Sequence, residues 1–113
     1  MNYKIKVYHH FEKEVKKLSK RYKLLKQDLT ILAAELMQNH AIGTDLGNGP
    51  HKGRMSIASK GKGKRGGARV ITLIATLSKE EKEIGLHFIY DKSERENITD
   101  KELQAVLKDN GII

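Results

Sequence analysis

Ser59-Lys60-Gly61-Lys62-Gly63-Lys64-Arg65-Gly66-Gly67-Ala68-Arg69-Val70-Ile71-Thr72 is a glycine-spaced basic loop that runs straight into a β-branched apolar run. From Ala68 to Leu77 the chain is apolar on both faces, with Val70 and Ile74 on one and Ile71, Leu73, Ala75 and Leu77 on the other. That pattern predicts a central strand of a sheet. Between Asp45 and Glu80 there is no acidic residue, whereas eight basic ones occur: Lys52, Arg54, Lys60, Lys62, Lys64, Arg65, Arg69 and Lys79. The other 14 of the 22 basic residues balance all 14 acidic ones, so the formal charge of +8 resides in this segment. Concentrated charge of this kind attracts polyanions, and glycines let backbone N–H groups approach a phosphate closely. The competing reading is a solvated loop kept soluble by its lysines. Its position between two strands favours the anion site.

The elements on either side follow from periodicity. Before the loop, Met55 and Ile57 alternate with Arg54, Ser56 and Ala58 as in a strand. After it, Ser78 to Lys82 reads as a polar turn and Ile84 to Tyr90 as the last strand, with Leu86, Phe88 and Tyr90 sharing one face. At the start of the chain Tyr3, Ile5 and Val7 alternate with lysines, another strand. Phe11, Val15, Leu18 and Tyr22, then Leu25, Leu29, Leu32 and Leu36, form two helical stripes with almost no loop between them, with Asn39 or Gly43 as the closing cap. Gly43 to Pro50 reads as a loop. Thr99-Asp100-Lys101-Glu102 is a capping box, Ile98 and Leu103 a hydrophobic staple, and Gly111 the stop of a last helix. The expected fold is α+β, in the order β-α-α-β-β-β-α, with a helical hairpin on a mostly antiparallel four-stranded sheet and a C-terminal helix.

The 113 residues make one domain, 1–113, with a single modest core. No cysteine occurs, so disulfides, thiolate metal sites and thiol nucleophiles are excluded. No apolar stretch approaches the roughly 20 residues of a membrane span, and the first residues have no signal-peptide core. A cytoplasmic protein with no membrane partner is expected.

Gly61-Lys62-Gly63-Lys64-Arg65-Gly66 spells G-x-G-x-x-G, but strand sequence follows where the dinucleotide fingerprint needs a helix. Gly67 and Ala68 likewise replace the Lys and Ser/Thr of a P-loop. His9, His10, His40, His51 and His87 lack metal-ligand spacing, and carboxylates avoid the basic segment, so no metal or other cofactor is expected. The remaining set of Arg, Lys and Tyr suits cleavage of RNA by its own 2′-hydroxyl, which needs a base, cations for the phosphate and an acid for the departing oxygen. Arg54 and Arg69, at the starts of neighbouring strands, flank the loop as a bidentate phosphate clamp. A lysine among Lys52, Lys60, Lys62 and Lys64 is the candidate base, with Lys60 in the catalytic set, while Lys52, Lys60, Lys62, Lys64 and Arg65 grip RNA. Tyr90 stacks on a base or orients the phosphate, unless it is a core tyrosine, and Lys92 adds charge or acts as the acid. Arg69 has a structural alternative, a buried pair with Asp91 or Glu94. His87 reads as a structural residue.

The stretches 54–72 and Ile89-Tyr90-Asp91-Lys92-Ser93-Glu94 resemble the RelE/HigB branch of the RelE/ParE toxin superfamily, and the similarity extends over nearly the whole chain. The resemblance implies a bacterial type II toxin that cleaves mRNA on the ribosome, in contact with mRNA and rRNA, without a metal. It also implies silencing by a cognate antitoxin in an oligomeric assembly. Arg54 and Arg69 match the strand arginines of that branch, and Tyr90 with Lys92 its aromatic and basic positions. Gly53 departs from the usual apolar residue, which leaves the start of its strand and the role of Lys52 open. Some relatives use histidine as the base, which keeps His51 and His87 as candidates. Two rival functions retain the basic site: a ParE-like inhibitor of DNA gyrase, and a nucleic-acid-binding module that cuts nothing.

Overall fold

A computed structural model describes residues 1–113. The elements are β1 (Asn2–Val7), α1 (His9–Ser19), α2 (Leu25–Gln38), β2 (Thr44–Asp45), β3 (His51–Met55), β4 (Ala68–Thr76), β5 (Glu81–Asp91) and α3 (Asp100–Asp109). They build the expected α+β architecture, three helices on a mixed sheet ordered β1-β5-β4-β3-β2. β1 runs parallel to β5, and every other pair is antiparallel. The sheet has five strands where four were expected, because Thr44 and Asp45 in the anticipated loop pair with Lys52 and His51. β3 starts at His51, so Lys52 and Gly53 belong to it, while Ile57 lies beyond its end, fully buried ahead of a single 3-10 turn at Ala58–Lys60.

α1 and α2 form the hairpin that the two stripes predict. Phe11 and Leu18 from α1 and Leu25, Leu32 and Leu36 from α2 pack on Met55, Val70, Ile84, Leu86 and Ile89 of the sheet. Each such side chain contributes about 1.5–3 kcal/mol on burial. Tyr22, at the end of the first stripe, lies in the connector beyond α1. α3 begins at the expected capping box: Thr99 Oγ1 accepts from the Glu102 N–H, and Glu102 Oε1 from the Thr99 N–H. It covers the opposite side of the sheet, where Leu103, Val106 and Leu107 meet Ile71, Phe88, Tyr90 and Ile98.

Leu86 therefore does not share a face with Phe88 and Tyr90, as strict alternation predicts. Thr72 pairs with Leu86 while Ile71 pairs with Phe88, so His87 is an extra residue in β5 and reverses the facing of all that follows. The bulge is filled rather than hollow. The His87 ring stacks on Tyr8 at 4.2 Å between centroids, and its Nδ1 accepts from Asn110 Nδ2 at 3.0 Å. Gly85 makes room for it, since a Cβ there would sit 2.6 Å from His87 Nε2. Asn110 also accepts from the His10 N–H at 2.9 Å, joining the end of α3 to the start of α1.

Two tests follow from this arrangement. Phe88→Ala should cost about 3–5 kcal/mol, the usual range for a buried phenylalanine. Amide exchange should then speed up more in α3 than in the hairpin; the reverse order would place Phe88 on the hairpin side. The second test concerns acid. Burial lowers the His87 imidazole from 6.5 to about 4. Between these values the unfolded chain binds more protons than the folded one, so stability rises with pH across that window and is lost on acidification through it. The loss is up to about 3 kcal/mol at roughly 1.4 kcal/mol per pKa unit. Urea midpoints should fall across the window, and the fall should flatten in His87→Gln.

Candidate functional site

Antiparallel register decides which charges meet. Arg54 at the end of β3 lies directly opposite Arg69 at the start of β4, and Arg69 lies opposite Tyr90 in β5. Lys52, two residues before Arg54, shares its face. These three cations and Lys64 from the loop line a cleft of about 350 Å³, closed on its other side by Ile42, Gly43 and Thr44. None of these seven residues carries a carboxylate or an imidazole.

Two like charges set opposite one another destabilise a sheet. Here the strain is relieved on one side, because Arg69 is buried and its guanidinium is held by backbone oxygens. Nη1 donates to the carbonyls of Lys64 at 3.1 Å and Ala68 at 3.2 Å, and Nη2 to that of Arg65 at 3.0 Å. Nε–H and one Nη2–H remain for a ligand. Burial pulls the guanidinium below the usual arginine range; Tyr90 opposes that shift and Arg54 adds to it. The alternative of a pair with Asp91 or Glu94 does not occur. Arg54 is solvent-exposed and has no carboxylate partner.

The other expected site residues are distributed more widely. Lys52 Nζ donates to Asn97 Oδ1 at 2.9 Å, and Lys64 pairs with Glu35 of α2. Lys62 and Arg65 stand exposed on the loop outside the cleft lining. Lys60 points to the hairpin side of the sheet, where Nζ reaches Asp91 Oδ1 at 2.7 Å with the side chain only 9% exposed. Lys92 Nζ donates to the Glu96 carbonyl at 3.3 Å. Tyr90 lies beside Arg69 but beneath α3, its hydroxyl buried without a partner. Burial pushes that phenol up, Arg69 and Arg95 pull it down, and Glu102 adds to the rise. His51 Nδ1 lies 3.0 Å from the Gly49 carbonyl oxygen, and neither His51 nor His87 lines the cleft.

Gly43 and Thr44, the cleft's outer wall, read in the sequence only as a helix cap and the start of a loop. The Gly43 φ of +92° and the 2.1 Å that would separate a Cβ from the Lys52 carbonyl oxygen show why glycine is needed there. Glu35 and Asn97, which tether two of the lysines, carry no local signal at all.

A family model described as the RelE toxin of the RelE / RelB toxin-antitoxin system matches residues 5–111, from β1 to α3. The chain belongs to the RelE toxin family. No curated protein sequence matches it. As a RelE-family toxin it is one half of a toxin–antitoxin system, and its partner is a cognate antitoxin. No helix is long and apolar enough to cross a membrane.

The two arginines should respond differently to removal. Arg54→Ala should leave stability within about 0.5 kcal/mol, as at other exposed positions. Arg69→Ala strips the loop carbonyls of their donors and should cost about 1–3 kcal/mol. Urea midpoints measure both; equal losses would show that Arg69 does not clamp the loop.

Proposed function

We propose that this toxin is an endoribonuclease that cleaves mRNA on the ribosome. The observation that supports it most is the pair Arg54 and Arg69, held opposite one another in a cleft with no carboxylate. Such a pair is unfavourable until an anion with two acceptor oxygens sits between the guanidiniums, and a phosphodiester is that anion.

In the reaction the 2′-oxygen bonds to the adjacent phosphorus and the bond from phosphorus to the 5′-oxygen breaks, leaving a cyclic phosphate and a 5′-hydroxyl. One proton leaves the 2′-hydroxyl and one reaches the departing oxygen. Lys52 and Lys64 are the two proton-exchanging groups in the cleft lining, and we assign them to these transfers. Arg54 and the free N–H groups of Arg69 meet the charge that grows on the phosphorane, so the donor set supplies the electrostatics without a metal. Lys62 and Arg65 on the loop, with Lys92, add attraction for the RNA backbone, and Tyr90 orients Arg69 from beneath α3. Lys60 is left out of the proton transfers because its ammonium is buried against Asp91 and lines no part of the cleft. In-line attack requires the RNA strand to be held in a set geometry. The ribosome supplies that alignment, which makes it the expected platform. The antitoxin, in an oligomeric complex with the toxin, silences it by covering this cationic surface with acidic groups.

Single-turnover cleavage of mRNA on programmed ribosomes tests the reading. Arg54→Ala should remain folded and cleave about 10²–10³ slower, the loss expected for one preorganised donor. With four lining cations on phosphates, log K for ribosome binding should fall with log salt at a slope of roughly −3 to −4, and by about one unit less in the variant. Intact mRNA together with inhibited gyrase supercoiling would decide for the ParE-like alternative, and ribosome binding without cleavage for the binding module.

A further inference from the structure

Lys60 sits in the run of loop lysines, yet the structure gives it a different place. Its ammonium lies 2.7 Å from Asp91 Oδ1 and 3.3 Å from Ser93 Oγ. The Asp91 carboxylate is fully buried and fully engaged. Oδ1 also accepts from the Ser93 N–H at 2.9 Å and from its hydroxyl at 2.8 Å, and Oδ2 accepts from the Tyr22 hydroxyl and from Arg21 Nη2 at 3.3 Å. Burial alone would push this carboxyl up; the bonds from Lys60, Tyr22 and Ser93 more than reverse that and hold it well below the usual range. One carboxylate thus ties together the α1–α2 connector, the 3-10 turn, the end of β5 and the turn after it.

The location of this knot gives it a role at the cleft. Asp91 pairs with Ala68 across the sheet and separates Tyr90 from Lys92, and the Lys92 N–H donates to the Gly67 carbonyl at 3.1 Å. The basic loop is therefore held at its start by Lys60 and at its far end by the grip of Arg69 on the Lys64 and Arg65 carbonyls. Between these anchors Gly61 and Gly63 adopt φ of +64°, a flexible stretch that by itself fixes no geometry. Lys64, which lines the cleft, belongs to the far anchor through its own carbonyl.

We propose that Asp91 and Lys60 are positioning residues for cleavage: their buried ion pair sets the basic loop, and with it Lys64 and Arg69, at the height over the cleft that the reaction needs. Neither touches RNA. The proposal rests on the ribonuclease reading.

The test uses the full chain on programmed ribosomes, with kcat and KM for Asp91→Asn, Lys60→Met, the double variant, the milder Lys60→Gln and the charge-keeping Lys60→Arg. Thermal melts identify which are folded, and Lys60→Gln keeps a donor for Asp91 should Lys60→Met fail to fold. Displacement by an ångström costs up to about 10²-fold, so folded single variants should lose roughly 10–100-fold in kcat with KM nearly unchanged. The double variant should be no worse than the poorer single, and Lys60→Arg should recover most of the loss. The pH profile of kcat should keep its shape in Lys60→Gln, and amide exchange at Gly61–Gly67 should accelerate in every impaired variant. Wild-type kcat in Asp91→Asn overturns the positioning role while the ribonuclease reading stands. So does a lost basic limb of the pH profile in Lys60→Gln, which would make Lys60 a proton carrier. If the wild-type toxin leaves mRNA intact, both fall together.

Discussion

One extra residue in β5 decides which core each side chain at the end of that strand enters. Up to Leu86 the strand alternates in step with the helical hairpin; at His87 it gains a residue, and from Phe88 onward its facing is reversed. Without the bulge, Tyr90 would face the hairpin and Asp91 would lie under α3, away from Lys60, Arg21 and Tyr22. With it, Tyr90 stands across from Arg69 and Asp91 meets Lys60, Arg21 and Tyr22. The cost of the disrupted ladder is offset locally by the stacking of His87 on Tyr8 and by the bonds of Asn110. Bulges are common next to active sites because they re-aim side chains without moving the sheet.

The charge of the molecule is less freely available than a count of lysines implies. Of the cations between Lys52 and Arg69, Lys60 is neutralised by Asp91, Lys64 shares its charge with Glu35, and Arg69 spends three N–H groups on carbonyls. Arg54, Lys62 and Arg65 remain open to solvent. The long-range field that attracts polyanions to this face and the short-range donors inside the cleft therefore come from partly different residues. Salt should weaken the first far more than the second, since buried charges are poorly screened.

Much of this was legible in the sequence, and what was missed shares one physical cause. Helical stripes, the two-faced strand and the capping box are local patterns, and each produced the element it announced. That the two arginines flank the loop was legible, but Arg54, which reads as a strand start, stands near the end of β3 because the strand begins at His51. A bulge has no such signature: His87 continues an apolar run and differs from an ordinary strand residue only through Tyr8 and Asn110, which are distant in sequence. The two-residue β2 is too short to show a period. Lys60 was read with its glycine-spaced neighbours, and only its partner 31 residues away distinguishes it from them.

β1 and β5 pair in parallel, Asn2 beside Glu81 and Val7 beside Leu86, so the first and last strands of the sheet lie side by side. Contacts so distant in sequence form late, because the intervening chain must be ordered before they are gained. During synthesis on a ribosome, a chain that has emerged only as far as β4 has its basic loop but lacks Asp91, Tyr90 and the strand against which β1 and β4 pack. The strand that Arg69 pairs across is supplied only when β5 too has left the exit tunnel. A RelE-family toxin built in this way makes its basic loop before the strand that fixes the loop's far end, so the charged segment precedes the geometry that organises it.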